Sequence, residues 1–464
     1  MKSLLAFGWF ACLASAAAQG GVLRPMADQK RLLDRFEIKS GALFQNHLQL
    51  MPLDQENTVA SIRESGPTTS QKDSFERSRF LQDQVDAIKR MPQPDPPEQE
   101  IAPKAFLKYF YRDGSHFLSW YGKDFQLSLD PLLHLEAGGE RSNSEMLLVN
   151  RRGLRLQGAV DDRFFFYSEV LESQISSPAY ISQFEKSYKS LPGAGLYKNY
   201  KSGIWNINKG YDFLLAEGAL SWKMSKHLSL TLGHGRHFIG SGFRSLFLSD
   251  FAPPQFYLKL NTSFWRLHYQ SLFTELSSES LADEGNRLLG KKYMVNHYLS
   301  VNITKNWNAG LFESVVFGRS NGFELQYLNP VILYRFVEHA IGSPDNVFLG
   351  FHSNLLLAKR FSLYGQCLFD EFIWKELFSN KGWWGNKYGI QAGMKYLEAF
   401  GLKDLDLQLE YNTIRPYTYT FRDSVANYSH SFQSLAHPLG ANFREWVVRM
   451  DYHPGNRLAI HHQW

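Results

Sequence analysis

Hydrophobic and polar residues alternate with a period of two along most of this chain, most plainly at 404–413. There Leu405, Leu407, Leu409 and Tyr411 share one face of a strand, and Asp404, Asp406, Gln408, Glu410 and Asn412 share the other. A strand with one apolar and one strongly polar face needs hydrocarbon on one side and water on the other. A closed antiparallel barrel in an outer membrane supplies both, with lipid outside and an aqueous lumen inside. In 361–371, Phe361, Leu363, Cys367 and Phe369 oppose Ser362, Tyr364, Gln366 and Asp370. In 386–397, Tyr388, Ile390, Ala392, Met394 and Tyr396 oppose Lys387, Gln391 and Lys395. A lysine at the bilayer midplane costs about 2–4 kcal/mol, so Lys395 is expected to line the lumen.

The pattern predicts strands at 105–112, 125–137, 147–159, 163–172, 213–223, 228–237, 263–273, 293–303, 307–317, 347–357, 361–371, 386–397, 404–413, 443–452 and 456–464. Their connections differ in length. Lys305-Asn306 and Lys359-Arg360 sit in tight links suited to periplasmic turns. Residues 173–212, 238–262, 318–346 and 414–442 are long and rich in Gly, Pro, Tyr and charge, suited to external loops or lumen plugs.

The first hundred residues read differently. Residues 1–18 have the form of a signal peptide: Lys2, an apolar core from Leu4 to Leu13, and Ala16-Ala17-Ala18 as a small-residue cleavage site. Residues 19–103 form a polar, partly helical leader expected in the periplasm. Phe75, Arg79, Phe80, Val85 and Ile88 mark a rough amphipathic helical stripe between Gln71 and Arg90, and Met91-Pro92-Gln93-Pro94-Asp95-Pro96-Pro97 is a linker that continues neither helix nor sheet. The barrel is assigned to 104–464.

Composition narrows the class. Over 464 residues the hydrophobic content is 44% and the mean hydropathy is −0.33, which excludes a bundle of membrane helices. The aromatic content of 15%, with 11 Trp, 23 Tyr and 36 Phe, suits two interfacial girdles. A net charge of +5 on so long a chain points to no nucleic-acid partner. Of the two cysteines, Cys12 lies in the signal segment, so Cys367 has no internal disulfide partner.

The densest polar cluster runs from Gly233 to Arg244 and on to Ser249-Asp250, and contains His234, Arg236 and His237. It matches neither a phosphate loop nor a dinucleotide fingerprint. His234 and His237 are three apart on a strand, hence on opposite faces, and no metal site is assigned. The glycines let the chain bend into the lumen. Arg236, His237, Arg244 and Asp250 are the candidate ligand contacts, and pairing of the arginines with lumen carboxylates such as Glu410 and Asp370 is the competing reading. Trp383 and Trp384 are candidates either for stacking on sugar rings or for anchoring at the interface. The acidic pairs Asp161-Asp162 and Asp370-Glu371 are adjacent on strands and point to opposite faces, so neither flanks a glycosidic bond. No catalytic constellation stands out, and no cofactor is implied.

Several blocks carry a resemblance. They are Val149-Asn150-Arg151-Arg152-Gly153 to Ser173, Gly233 to Asp250, Gly342-Ser343-Pro344-Asp345-Asn346, Gly382 to Gly389, Arg415-Pro416-Tyr417-Thr418-Tyr419 and His437 to Asn442. From about Leu107 to Tyr452 the chain resembles the Wzi-like capsule-assembly barrels, in the branch often labelled as the gliding-motility protein RemB. The resemblance implies an 18-stranded outer-membrane barrel with a helical periplasmic element. It also implies a lectin-like, non-catalytic role in holding capsular or extracellular polysaccharide at the cell surface. The alternative is a structural component of gliding-motility or secretion machinery that acts through contacts with other surface proteins. Relatives of the branch continue beyond the segment Asp451 to Asn456, whereas this chain ends at Trp464, a terminal aromatic of the kind barrel-assembly machinery recognises. Fifteen strands is an odd count. A missed strand or an incomplete C-terminal end is therefore expected within an antiparallel barrel of about 16–18 strands, and incompleteness would leave an open edge between first and last strands.

Overall fold

The period-two segments form the strands that their alternation requires. In the computed structural model, the described residues are 22–23, 27–65, 70–90, 109–111, 115–140, 143–188, 190–281, 289–319, 324–329, 345–370, 383, 385–455 and 458–464. Sixteen strands form one antiparallel meander: β1 (Leu118–Tyr121), β2 (Phe125–Glu140), β3 (Asn143–Val160), β4 (Phe164–Ser176), β5 (Ile207–Lys223), β6 (Leu228–Gly235), β7 (Gln255–Phe264), β8 (Leu267–Leu281), β9 (Leu289–Thr304), β10 (Trp307–Phe317), β11 (Asn346–Leu357), β12 (Phe361–Phe369), β13 (Tyr388–Tyr396), β14 (Leu405–Ile414), β15 (Phe443–Gly455) and β16 (Leu458–Gln463). A short extra strand, Lys198–Ser202, extends the sheet along the outer part of β5. The sheet order returns from β16 to β1. Among the described residues no residue-by-residue ladder joins those two, so the barrel is not zipped shut at that seam.

Two strands escape the sequence pattern. Residues 255–264, read as part of a long loop, form β7, and 118–121 form β1. The strand expected at 105–112 lies largely outside the described residues, and 109–111 are not in a strand. Among the described residues the count of meander strands is thus even, at the low end of the expected range.

Connections at one end are tight. Asp161 and Asp162 are the central pair of a two-residue turn with φ of 53° and 49°, the left-handed geometry that matches the twist of a hairpin. They are turn residues rather than strand residues, which corrects the sequence reading. At the other end the connections are long, including 177–206, 236–254 and 415–442.

The faces fall as the alternation requires. Ile390, Leu363 and Leu409 point outward and are exposed on the barrel wall, while Gln391, Asp370 and Glu410 point inward and are buried. Leu133, Leu135, Leu154, Leu214 and Leu220 extend the apolar belt. Trp222, Trp265 and Trp307 stand at the tight-turn end, where Phe164 stacks on Trp222 at 5.9 Å. No helix among the described residues is long and apolar enough to cross a membrane. The fold is a transmembrane-type antiparallel barrel preceded by a short helical segment.

The lumen is filled rather than aqueous throughout. Helices α1 (Ala27–Ser40), α2 (Gln55–Glu64), α3 (Gln71–Asp83) and α4 (Val85–Arg90) pack Leu33, Phe36, Val59, Ile62 and Phe80 into their own small core. Asp54 caps α2 by accepting from the Asn57 N–H at 2.6 Å, and Ser70 caps α3 by accepting from Asp73 at 3.0 Å. This unit sits against the inner wall at the tight-turn end. Ile38 packs with Leu356 and Leu397, and Lys395 pairs with Asp34 at 2.7 Å. Above it, loop residues Leu246, Phe247, Leu248, Tyr419, Tyr428 and Leu435 pack on the inward-facing Leu272, Met294, Tyr298, Phe312, Phe348 and Leu368. Those strands are apolar on both faces, because one meets hydrocarbon and the other meets folded loops.

Candidate functional site

The segment 236–254 does not rise over the rim. It folds into the lumen, as its glycines suggest. Phe238 and Ile239 pair with Met51 and Leu50 of the helical unit, and the Gly240 N–H donates to the Gln49 carbonyl at 2.8 Å. Glu410 on β14 then anchors the bend, accepting from the Phe243 N–H at 2.7 Å, the Arg244 N–H at 3.0 Å and the Tyr364 hydroxyl at 2.8 Å. Gly242 is required by close approach: a Cβ there would lie 2.4 Å from Glu410 Oε2 and 2.9 Å from the Arg244 carbonyl. Phe247 completes the anchor, stacked on Phe312 at 4.7 Å.

This bend forms one wall of a 460 Å³ cavity, a size typical of small-ligand sites. The second wall is α1, whose Arg31, Asp34, Arg35 and Ile38 recur at the i, i+3, i+4, i+7 spacing of one helix face. The third is the inward row of β13–β15, with Lys395, Asp406, Gln408, Arg449 and Asp451. A second cavity of 310 Å³ reaches Pro192 and Pro438 of the long-loop end, and shares Arg236, Phe238, Phe243, Arg244 and Asp250 with the first.

Seven basic side chains line the larger cavity against four aspartates, and they are unequally neutralised. Arg35 is nearly enclosed and donates to Asp73 at 2.8 Å, Asp406 at 2.6 Å and Asp404 at 2.9 Å. Burial disfavours its charge, but Asp406 and Asp73 outweigh that and raise its pKa above the ordinary arginine value. Asp73 is drawn down in turn: burial opposes its charge, and Arg35 and Lys39 overcome the penalty. Arg31 pairs with Asp451 at 2.9 Å, and Arg236 pairs with Glu217 at 2.9 Å. Arg244 reaches Glu445 only at 3.5 Å, and that carboxylate already accepts from His437 at 2.8 Å and Asn412 at 3.2 Å. Arg449 has the Gln408 side-chain oxygen at 3.5 Å and no carboxylate at ion-pairing distance among the described residues. Both guanidinium groups lie against one ring, Phe243, at 4.8 Å for Arg244 and 4.7 Å for Arg449.

The structure therefore brings four of the sequence candidates, Arg236, His237, Arg244 and Asp250, to one cavity. The arginines do face lumen carboxylates, but these are Glu217 and Glu445. Glu410 instead holds the backbone of the bend, and Asp370 accepts from the Tyr419 N–H at 2.9 Å. Trp383 does not join the cluster. Its carbonyl accepts from the Arg415 side chain at 3.3 Å in the long-loop layer, and Trp384 lies outside the described residues. Arg449, Phe243 and the α1 face were missed by sequence reasoning. A signal for Arg449 existed, since it stands opposite Gln408 in the β14–β15 ladder and so shares its inward face. No group of three or more metal-ligating side chains is found among the described residues.

The architecture places the protein in the structural class of outer-membrane β-barrels with an occupied lumen. No protein-family model and no curated protein sequence matches the chain. Among solved structures it is similar to Wzi of Escherichia coli, an outer membrane protein involved in group 1 capsule assembly whose structure is that of a carbohydrate-binding β-barrel. The superposition covers 93% of this chain and 81% of that one, with a TM-score of 0.55 and 12% identity. OccK8 (OprE) of Pseudomonas aeruginosa, over 71% of this chain and 79% of that one, gives a TM-score of 0.37 at 11% identity. Acinetobacter baumannii OccAB4, over 64% and 68%, gives 0.33 at 14% identity. The likeness to Wzi is one of fold, and the two porin likenesses are too low to add to it.

Proposed function

We propose that this chain is an outer-membrane barrel that attaches or organises capsular or extracellular polysaccharide at the cell surface, by binding and without catalysis. The observation that carries the reading is the arginine-rich cavity, with two weakly neutralised guanidinium groups on an aromatic ring beneath a layer of long loops. Guanidinium groups recognise carboxylates through paired hydrogen bonds, and flat apolar rings suit the C–H faces of sugars. The fold likeness to a carbohydrate-binding barrel of capsule assembly supports the same reading. The outward apolar belt fits lipid as the surrounding solvent.

The test is a deletion strain stained for surface polysaccharide and scored for surface spreading. Loss of retained polysaccharide, restored by the intact gene, is the expected result. Normal polysaccharide with lost spreading would sink this reading and leave the alternative from the sequence resemblance: a motility or secretion component acting through contacts with other surface proteins.

A further inference from the structure

We infer that the cavity between α1, the inward bend and β14–β15 binds one carboxylated sugar residue, with Arg244 and Arg449 receiving its carboxylate. The inference rests on the polysaccharide reading above and names the chemical class and the place of contact.

Charge distribution selects these two residues from the seven basic groups. Arg31, Arg35 and Arg236 each hold a carboxylate at 2.9 Å or closer, and Lys30 and Lys395 share Asp34. Among the described residues Arg244 has a 3.5 Å contact with a carboxylate engaged elsewhere, and Arg449 has an amide oxygen at the same distance and only a longer-range attraction to Asp451, which already holds Arg31. The Arg244 Nε is buried and has no hydrogen-bond partner among the described residues. Two cations held 4.8 Å and 4.7 Å from the centre of one phenyl ring repel each other, and a bound anion relieves that repulsion. A guanidinium offers a planar fork of donors, which fits a carboxylate in two parallel hydrogen bonds.

The other groups suit the rest of a sugar. Phe238 lines both cavities and offers an apolar surface, while Asp250 and Gln408 offer acceptors for hydroxyls. The second cavity shares walls with this one and reaches Pro192 and Pro438 at the long-loop end. A neutral sugar would leave both arginines as they are, so the preference is for acidic residues.

The experiment titrates the full chain in detergent with sodium glucuronate, glucose and inorganic phosphate, followed by calorimetry. Glucuronate is expected to bind at least tenfold more tightly than glucose or phosphate, and Arg449→Gln should weaken it at least tenfold. Arg449→Gln removes no ion pair found among the described residues, so it should leave the barrel folded and heat-modifiable. The double variant Arg244→Gln/Arg449→Gln should abolish binding; if that protein does not fold, the single variant decides. Equal binding of glucose, equal binding of phosphate (a generic anion site), or unchanged binding by Arg449→Gln would each overturn the inference. If the deletion strain loses polysaccharide while glucuronate fails to bind, the site is wrong and the function stands. If glucuronate binds and the deletion strain keeps its polysaccharide, the function is wrong and the site stands.

Discussion

Replacing Arg35 by Met should loosen the helical unit from the barrel wall. Met keeps most of the aliphatic stem and removes the guanidinium that links Asp73 on α3 to Asp404 and Asp406 at the start of β14. Lys39 remains beside Asp73 and Glu398, but Asp406 loses both short bonds from Arg35. Removing one partner from a buried ion pair costs about 3–5 kcal/mol, because the remaining charge stays desolvated. Asp404 and Glu398 are partly open to water, so the low end, about 3 kcal/mol, is the appropriate estimate here. At 1.4 kcal/mol per decade, that is about a hundredfold more frequent opening of α1. Amide hydrogen exchange on the detergent-solubilised protein reads this directly: residues 27–40 should lose about two orders of magnitude of protection, while β14 keeps its own. Arg152→Met, which breaks the half-exposed pair with Glu172, should leave α1 unchanged. If Arg35→Met changes α1 protection by less than about threefold, the ion-pair cluster is not what holds the unit in place.

Three further outcomes follow from the same geometry. Leu409→Lys on the outer face of β14 should reduce folding into lipid vesicles by about 2–4 kcal/mol; no reduction would refute the assignment of faces. Gly242→Ala places a Cβ 2.4 Å from Glu410 Oε2 and should cost about 1–3 kcal/mol through overpacking, seen as a lower temperature for loss of the heat-modifiable form. Burial pushes the Glu37 carboxyl up to about 7, against the Phe44 N–H that it accepts from. The folded unit therefore binds the extra proton between the ordinary carboxylate range and pH 7, so its stability should fall as pH rises through that window. Glu37→Gln should flatten the dependence, and α1 protection, taken relative to the intrinsic exchange rate at each pH, that is unchanged between pH 5 and 8 in the native protein would refute it.

The sequence by itself determined the wall. Alternation is a local property, since successive side chains on a strand must point to opposite faces, and a face that meets hydrocarbon excludes charge. Hence Leu405, Leu407 and Leu409 against Asp406, Gln408 and Glu410 suffice to orient β14, and Lys395 could be sent inward before its partner was known. The helix at Gln71–Arg90 was legible for the same reason, though it divides at Gln84 into α3 and α4. Strand β7 was missed although Phe256, Leu258 and Leu260 alternate with Gln255, Lys259 and Asn261, because the segment directly follows the Gly-rich bend and was read together with it as a long loop.

Only the tertiary structure decided what occupies the lumen. The contacts that seat α1 join Arg31 to Asp451, Asp34 to Lys395 and Arg35 to Asp406. Each pair is separated by more than 350 residues, and no period along the chain records such pairings. The same holds for the candidate site. A cluster of arginine, histidine and glycine at 233–244 could be marked as unusual, but which arginine was already neutralised depended on Glu217 and Glu445 arriving from other strands. Arg449 shares the inward face of Gln408, but its place beside Phe243 depends on the inward bend meeting β15. Charge balance in a lumen is a property of the whole ring of strands, because every inward side chain faces the same enclosed volume.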